Sequence, residues 1–338
     1  MADGVTSVSL LPEHIRVDAQ MRDRVCASYP MFINRFFLSL IKKAEDPLWR
    51  QVVPDAMELD DDLPEDDPLA EEEQSAVPGL IHRYPDRVVF LVSGICPVLC
   101  RFCLRKRMAG KGPVLSDADI ENAVCYIRSA RAIREVILSG GDPLMLEDDR
   151  LCDILKRVSS IPHVRTIRIH SRVPVALPQR ITGDLVSILR RFHPLYLNIH
   201  ANHPNEITAR AAEACAMLAD AGIPLGSQTV LLKGVNDSFE TMEALLMELL
   251  HIRVRPYYLH HPDPVKGTGH FRVPVTKGLE IMRRLQGRLP GVAIPRYMLD
   301  LPGGGGKVPL CPGYVEQDKN GMLVVRNYQG QRFYYPSG

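Results

Sequence analysis

From Arg87 onward the chain alternates between two hydrophobic periods. Short runs rich in β-branched and aromatic residues, at Val88 to Val92, Glu135 to Leu138, Thr166 to His170, Leu195 to His200, Leu225 to Leu231 and Arg253 to Leu259, read as strands. Between them lie amphipathic helical stretches such as Asp117 to Ala130 and Ile207 to Ala221. Six strand-helix units in a row predict a parallel sheet. Right-handed crossovers curl such a sheet, and six units fall short of the eight that close a barrel. The expected fold class is α/β, an open partial (β/α)6 barrel with the C-terminal ends of its strands lining the site.

Upstream of Arg87 the pattern changes. Pro12 to Arg50 contains MFINRFFLSLIKKA, whose apolar residues at helical spacing predict a short helix packed on the main domain. Gln51 to His82 has no Lys or Arg, while acids crowd MELDDDLPEDDPLAEEE; this reads as a solvated linker. The expected organisation is an N-terminal helical extension and acidic linker over 1–82, a partial barrel over 83–290 and a C-terminal segment over 291–338.

Composition adds limits. At 338 residues and 46% hydrophobic, the chain can bury a large core in one elongated domain with an extension. A net charge of +1 gives no sign of nucleic-acid or membrane binding. No apolar run is long enough for a membrane span, and MADGVTSVSLLPEHIRVDAQ lacks the order of a signal peptide, so a cytoplasmic protein is expected. Of the eight cysteines, Cys26, Cys125, Cys152, Cys215 and Cys311 are scattered singly and read as reduced core thiols.

The other three carry chemistry. Cys96, Cys100 and Cys103, in GICPVLCRFC, supply three thiolates within eight residues on a loop leaving a strand. Structural zinc and ordinary electron-transfer clusters want four protein ligands, whereas a 4Fe-4S cluster held by three keeps one iron open. C-x-x-C also marks zinc ribbons and redox pairs, but the third Cys argues against a redox pair and no second pair follows nearby. Polar groups recur at the strand ends: Ser139-Gly140-Gly141-Asp142-Pro143, Ser171-Arg172, His200 and Gln228. Downstream, Leu299-Asp300-Leu301-Pro302 leads into four glycines and Lys307. Such a glycine run is expected where backbone passes close to something bulky or adopts positive φ, and a lysine held there can form a Schiff base.

CxxxCxxC with Phe102 before the last Cys resembles the signature of the radical S-adenosylmethionine (SAM) enzymes. PGGGGK, taken with that loop, HRYPDR, SGGDPL, HSRVPVALPQRIT, HANHPNEIT and RVRPYY, resembles the lysine 2,3-aminomutase family from about Tyr29 to Tyr335. The resemblance implies an isomerase in which SAM chelates the open iron and yields a radical that abstracts hydrogen, while pyridoxal 5′-phosphate (PLP) carries a migrating amino group and SAM is regenerated. It implies PLP anchored on Lys307 with its phosphate at Arg83, Tyr84 and Arg87. It places SAM at Phe102, Ser139, Gly140, Gly141, Asp142, His200 and Gln228, the substrate carboxylate at Arg105 and a cationic side chain at Asp263 and Asp300. Two carboxylates in a cleft favour free lysine, leave arginine open and disfavour glutamate. The bacterial enzyme that β-isomerises lysine for elongation factor P is the alternative within the family, and a non-catalytic iron-sulfur sensor the alternative of another class. An electron donor such as flavodoxin or ferredoxin is implied, and a homo-oligomer is left open. Longer family members bind zinc through a cysteine-rich tail and a Cys after the VND turn. Here Ser238 follows Val235-Asn236-Asp237 and the chain ends at Gly338, so no zinc is expected.

Overall fold

Each parallel strand presents one apolar face to a helical layer and a different face inward. The computed structural model describes residues 3–16, 19–61, 65–112, 115–319 and 322–336. Seven parallel strands lie side by side in chain order: β1 (Arg87–Ser93), β2 (Glu135–Gly140), β3 (Thr166–Ser171), β4 (Leu195–His200), β5 (Leu225–Val230), β6 (Arg255–His260) and β7 (Arg296–Leu301). They are linked by α1 (Asp117–Ser129), α2 (Asp148–Ser159), α3 (Gly183–Leu189), α4 (Ala209–Asp220), α5 (Phe239–His251) and α6 (Val275–Leu285). The six expected strand-helix units are all present. A seventh parallel strand, unread in the sequence, carries the sheet on to β8 (Gly306–Pro309), antiparallel to β7. At the other end Leu80–Tyr84 and Ser75–Val77 add antiparallel strands. The two ends of this ten-stranded sheet do not pair, so the barrel is open.

The helices start where a hydroxyl can cap them. Ser116, Thr182, Thr208 and Ser238 accept from the backbone N–H three residues on, at α1, α3, α4 and α5; each such cap is worth about 1 kcal/mol. The helices bury Ile120, Val124, Leu151, Leu155, Leu185 and Leu218 against the outward residues of the strands, Val136, Leu138, Ile167, Ile169, Leu197 and Ile199. The inward residues alternate with these and are largely polar: Arg168 and His170 on β3, Asn198 and His200 on β4, Gln228 on β5, Tyr258 and His260 on β6, Asp300 on β7. They face a cavity of about 480 Å³.

The region before Arg87 keeps the short helix of its reading and departs from it at the acidic stretch. MFINRFFLSLIKKA forms a short strand, Ile33–Asn34, and a six-residue helix, Arg35–Leu40, flanked by helices Ala19–Ser28 and Pro47–Val52. These build a second core around Phe37, Leu48, Trp49 and Val52 that also takes in Val98 of the cysteine loop. The acidic stretch is not a solvated linker. Glu58 and Glu71 are 2% and 7% exposed. Glu58 pairs with Arg101 at 2.5 Å and Lys106 at 2.7 Å, Glu71 with Arg105 at 2.7 Å, and Asp67 and Glu72 with Arg107 at 3.1 and 2.9 Å. Four of these acids are the counter-charges of the bases within and just after the cysteine motif, a pairing that charge counted along the chain does not see.

The scattered cysteines also divide. Cys152 and Cys215 are buried and Cys26 half-buried, but Cys125 and Cys311 are exposed and not core thiols. No helix among the described residues is long and apolar enough to cross a membrane.

Candidate active site

The cysteine loop leaves the end of β1 and is held from two sides. The N-terminal extension grips it through Leu99 N–H to Phe32 O (2.9 Å), Asn34 Nδ2 to Pro97 O (2.8 Å) and Arg101 N–H to Gln51 O (2.8 Å). From the barrel, the end of β2 presses directly on it. Gly141 N–H donates to Ser93 O at 2.5 Å and Asp142 N–H to Ile95 O at 2.7 Å. A Cβ at Gly140, where φ is +119°, would stand 2.5 Å from Ser93 O, and one at Gly141 2.5 Å from Ile95 O. Those glycines are therefore required by the approach of the loop itself. The Asp142 carboxylate turns away into the next connection, accepting from Ser171 Oγ (2.8 Å) and from the N–H groups of Arg172 (2.7 Å) and Leu144 (3.0 Å). Burial raises its pKa to about 6, against those bonds.

Cys96, Cys100 and Cys103 all line the cavity. Burial, then the neighbouring thiols, push the Cys96 thiol well up and the Cys103 thiol to about 11. Thiols that oppose one another's ionisation in a dry wall suit a cationic iron centre that would neutralise all of them. Among the described residues no group of three or more His, Cys, Asp or Glu is placed to hold a metal ion as it stands.

Lys307 enters the same cavity from a hairpin. β7 and β8 pair so that Asp300 stands directly across from Lys307, and the two side chains form an ion pair. The intervening turn uses φ of +62°, +79° and +86° at Gly303, Gly304 and Gly306. A Cβ at Gly304 would collide with the amide of Gln74, and one at Gly306 would lie 3.2 Å from Tyr84 Oη. Tyr84 Oη accepts the Lys307 backbone N–H at 2.8 Å. The glycine run thus lets the lysine strand pass against HRYPDR, as the sequence requires. Arg83 is held by Gln74 Oε1 (2.7 Å) and Leu69 O (2.9 Å) with Nη1 3.7 Å from Asp300. Arg87 lies over the Tyr84 ring at 4.8 Å and pairs with Asp86 at 2.9 Å. Arg168, unread in the sequence, pairs with Glu135 at 2.8 Å and leaves its buried Nε without a partner. The three arginines line one cavity with Lys307, a donor set that fits a phosphate beside a covalently held aldehyde.

The remaining expected residues converge there too. Asp263 is half-buried in the cavity lining, and desolvation followed by the nearby Asp300 charge raises its pKa to about 7. Arg105 is gripped by Glu71 through Nε and Nη2, at 2.7 and 2.8 Å, and reaches Ser139 Oγ with Nη1 at 3.4 Å. Phe102 packs edge-on against His200 at 5.5 Å. Burial, with Arg172 nearby, lowers the His200 pKa to about 4, and its Nε2 is buried with no partner. Gln228, Ser139, Gly140 and Gly141 also line the cavity. Glu71, Arg168, His170, Asn198 and His260 were not singled out by the sequence as site residues, and Arg172 was read only as a polar group at a strand end. A signal existed for most: TIRIH, LNIH and YLH alternate in strands expected to be buried on both faces, where an alternating polar set means a lined cavity.

An open α/β barrel whose first strand feeds a three-cysteine loop at the cavity wall defines the class, and residues 90–246 match the radical SAM superfamily. Residues 282–337, which carry the lysine hairpin, match the Lysine-2,3-aminomutase pattern. L-lysine 2,3-aminomutase of Clostridium subterminale is 47% identical over 307 residues, covering 90% of this chain and 74% of that one. The putative L-lysine 2,3-aminomutase of Aquifex aeolicus is 44% identical over 329 residues, 96% of this chain and 88% of that one. Glutamate 2,3-aminomutase of Clostridioides difficile is 40% identical over 337 residues, 98% and 80%. The chain belongs to the lysine 2,3-aminomutase family of radical SAM enzymes and is an isomerase. A 4Fe-4S cluster, SAM and PLP are the cofactors that follow from that membership.

Proposed function

We propose that the protein moves the α-amino group of L-lysine to the β-carbon, giving L-β-lysine. The observation that carries this reading is the pair of carboxylates, half-buried Asp263 and buried Asp300, lining the same cavity as Lys307. Cluster and SAM together supply a hydrogen-abstracting radical, and PLP supplies an electron sink for the migrating nitrogen. Cys96, Cys100 and Cys103 hold the cluster. Lys307 anchors PLP, with Arg83, Tyr84, Arg87 and Arg168 around its phosphate. Phe102, His200, Gln228 and the Ser139-Gly140-Gly141 turn surround SAM, while Asp142 fixes that turn through its carboxylate. In this reading Arg105 receives the substrate carboxylate through the guanidinium edge that Glu71 leaves free. Once Lys307 is engaged by its cofactor, Asp300 loses its closest counter-ion and joins Asp263 in holding an ammonium. A glutamate side chain would face both acids without compensation, which separates the substrate proposed here from that named for the Clostridioides relative.

The test is an anaerobic assay of reconstituted enzyme with SAM, PLP and a reductant, offered L-lysine, L-arginine and L-glutamate in parallel. β-Lysine is expected from wild type, with borohydride fixing a pyridoxyl group on Lys307, and no turnover after Lys307→Ala. Turnover of arginine or glutamate but not lysine overturns the substrate assignment.

A further inference from the structure

Arg172 stands between the cysteine loop and the buried polar network of the barrel. It is 5% exposed. Its Nη1 donates to Cys100 Sγ at 2.7 Å, and its Nη2 to Gln51 Oε1 at 2.6 Å and Glu206 Oε2 at 2.9 Å. Its guanidinium lies 5.1 Å from the Phe37 ring and 5.5 Å from that of Phe102. Glu206 is in turn fixed by the N–H groups of Asn202 and His203, both at 3.0 Å, and by Gln51 Nε2 at 3.1 Å. A cation held by a fixed carboxylate at Nη2, with two aromatic rings nearby and its Nε unpartnered, gives its other terminal nitrogen to a cysteine sulfur.

We propose that Arg172 is a positioning residue that sets the reduction potential of the cluster by donating a charged hydrogen bond to the Cys100 sulfur. The proposal rests on the assignment of Cys96, Cys100 and Cys103 as cluster ligands. When one electron enters a 4Fe-4S cluster from a low-potential donor, the added negative charge spreads over iron, sulfide and ligand sulfurs. A donor fixed at one of those sulfurs stabilises the reduced form and raises the potential. Because Arg172 is desolvated, solvent does not screen it. Glu206 opposes it from the far side of the guanidinium, so the two residues act with opposite signs on the same couple. Gln51 belongs to the N-terminal extension, which thereby enters the electrostatics of the cluster as well as its support.

The experiment is an EPR-monitored redox titration of reconstituted protein with dithionite and mediators, without SAM, alongside iron and sulfide analysis. Arg172→Gln is expected to lower the ratio of reduced to oxidised cluster at a fixed potential about tenfold, a shift of about 59 mV for a one-electron couple. Arg172→Lys, which keeps the charge, should recover most of that shift, and Glu206→Gln should move the midpoint the other way. A fully loaded Arg172→Gln protein with the wild-type midpoint overturns the proposal. So does Arg172→Lys shifted as far as the glutamine variant. If Arg172→Gln cannot be loaded, an unchanged midpoint in Glu206→Gln overturns it. A wild-type protein that takes up no iron and shows no reduced-cluster signal refutes the cluster assignment instead.

Discussion

Asp263 shows how far one cavity-facing carboxyl can be pushed when its partner is missing from the fold. Its pKa stands at about 7 because burial, and then Asp300, oppose its charge. In the unfolded chain an Asp titrates near about 3.9. Its folded value is therefore the higher one: between these values the folded protein holds a proton that the unfolded chain releases, and stability falls as pH rises from about 4 to about 7. Asp263→Asn removes that penalty. The melting temperature of the variant should match wild type near pH 4 and exceed it above pH 7, by about 2–4 °C for each kcal/mol relieved. A difference independent of pH would show that desolvation of this carboxyl is not its cause. L-Lysine, supplying the absent cation, should narrow the gap. Position 263 was readable through its motif, and so was Arg105. Glu71 was not, because an acid among many in one run looks like its solvated neighbours until the fold buries it.

The lysine hairpin is the element on which the site depends most. Its register puts Asp300 opposite Lys307, and Gly304 lets the turn slide past Gln74, whose Oε1 holds Arg83. Gly304→Ala would strain a residue at φ +79° and displace Gln74. A loss of about 1–3 kcal/mol in urea denaturation is expected, together with a fall in the pyridoxyl adduct trapped on Lys307. Stability and adduct yield both at wild-type levels would mean that the turn accommodates a β-carbon. The glycines and the lysine were legible as a close-approach turn, but the strand before them was not. Arg296–Leu301 ends in the acid and the turn, so its short apolar core does not stand out as a seventh strand.

At the scale of the whole molecule, the extension and the barrel share the cysteine loop. Trp49 is 1% exposed, and its Nε1 donates to Ile15 O at 2.9 Å within the core that includes Val98. Trp49→Ala should lower stability by about 3–5 kcal/mol and also reduce the iron retained after reconstitution and desalting. Normal iron retention in a destabilised variant would uncouple the extension from the site. The acids of Gln51 to His82 belong to the same scale. Glu58 pairs with both Arg101 and Lys106 in a buried cluster, and burial with Arg101 nearby leaves the Lys106 pKa at about 8 despite Glu58.

By itself the sequence determined the class of fold, the three-thiol loop and the glycine-lysine turn. These are encoded in local period, spacing and backbone freedom, all of which act between near neighbours along the chain. Only the tertiary structure decided that an acidic run is the counter-ion of a basic one, that the Asp142 carboxylate ties its turn to the connection after β3 and that Arg172 faces a cysteine sulfur. Those pairings join residues 29 to 72 positions apart, and only burial turns such charges from solvated groups into partners.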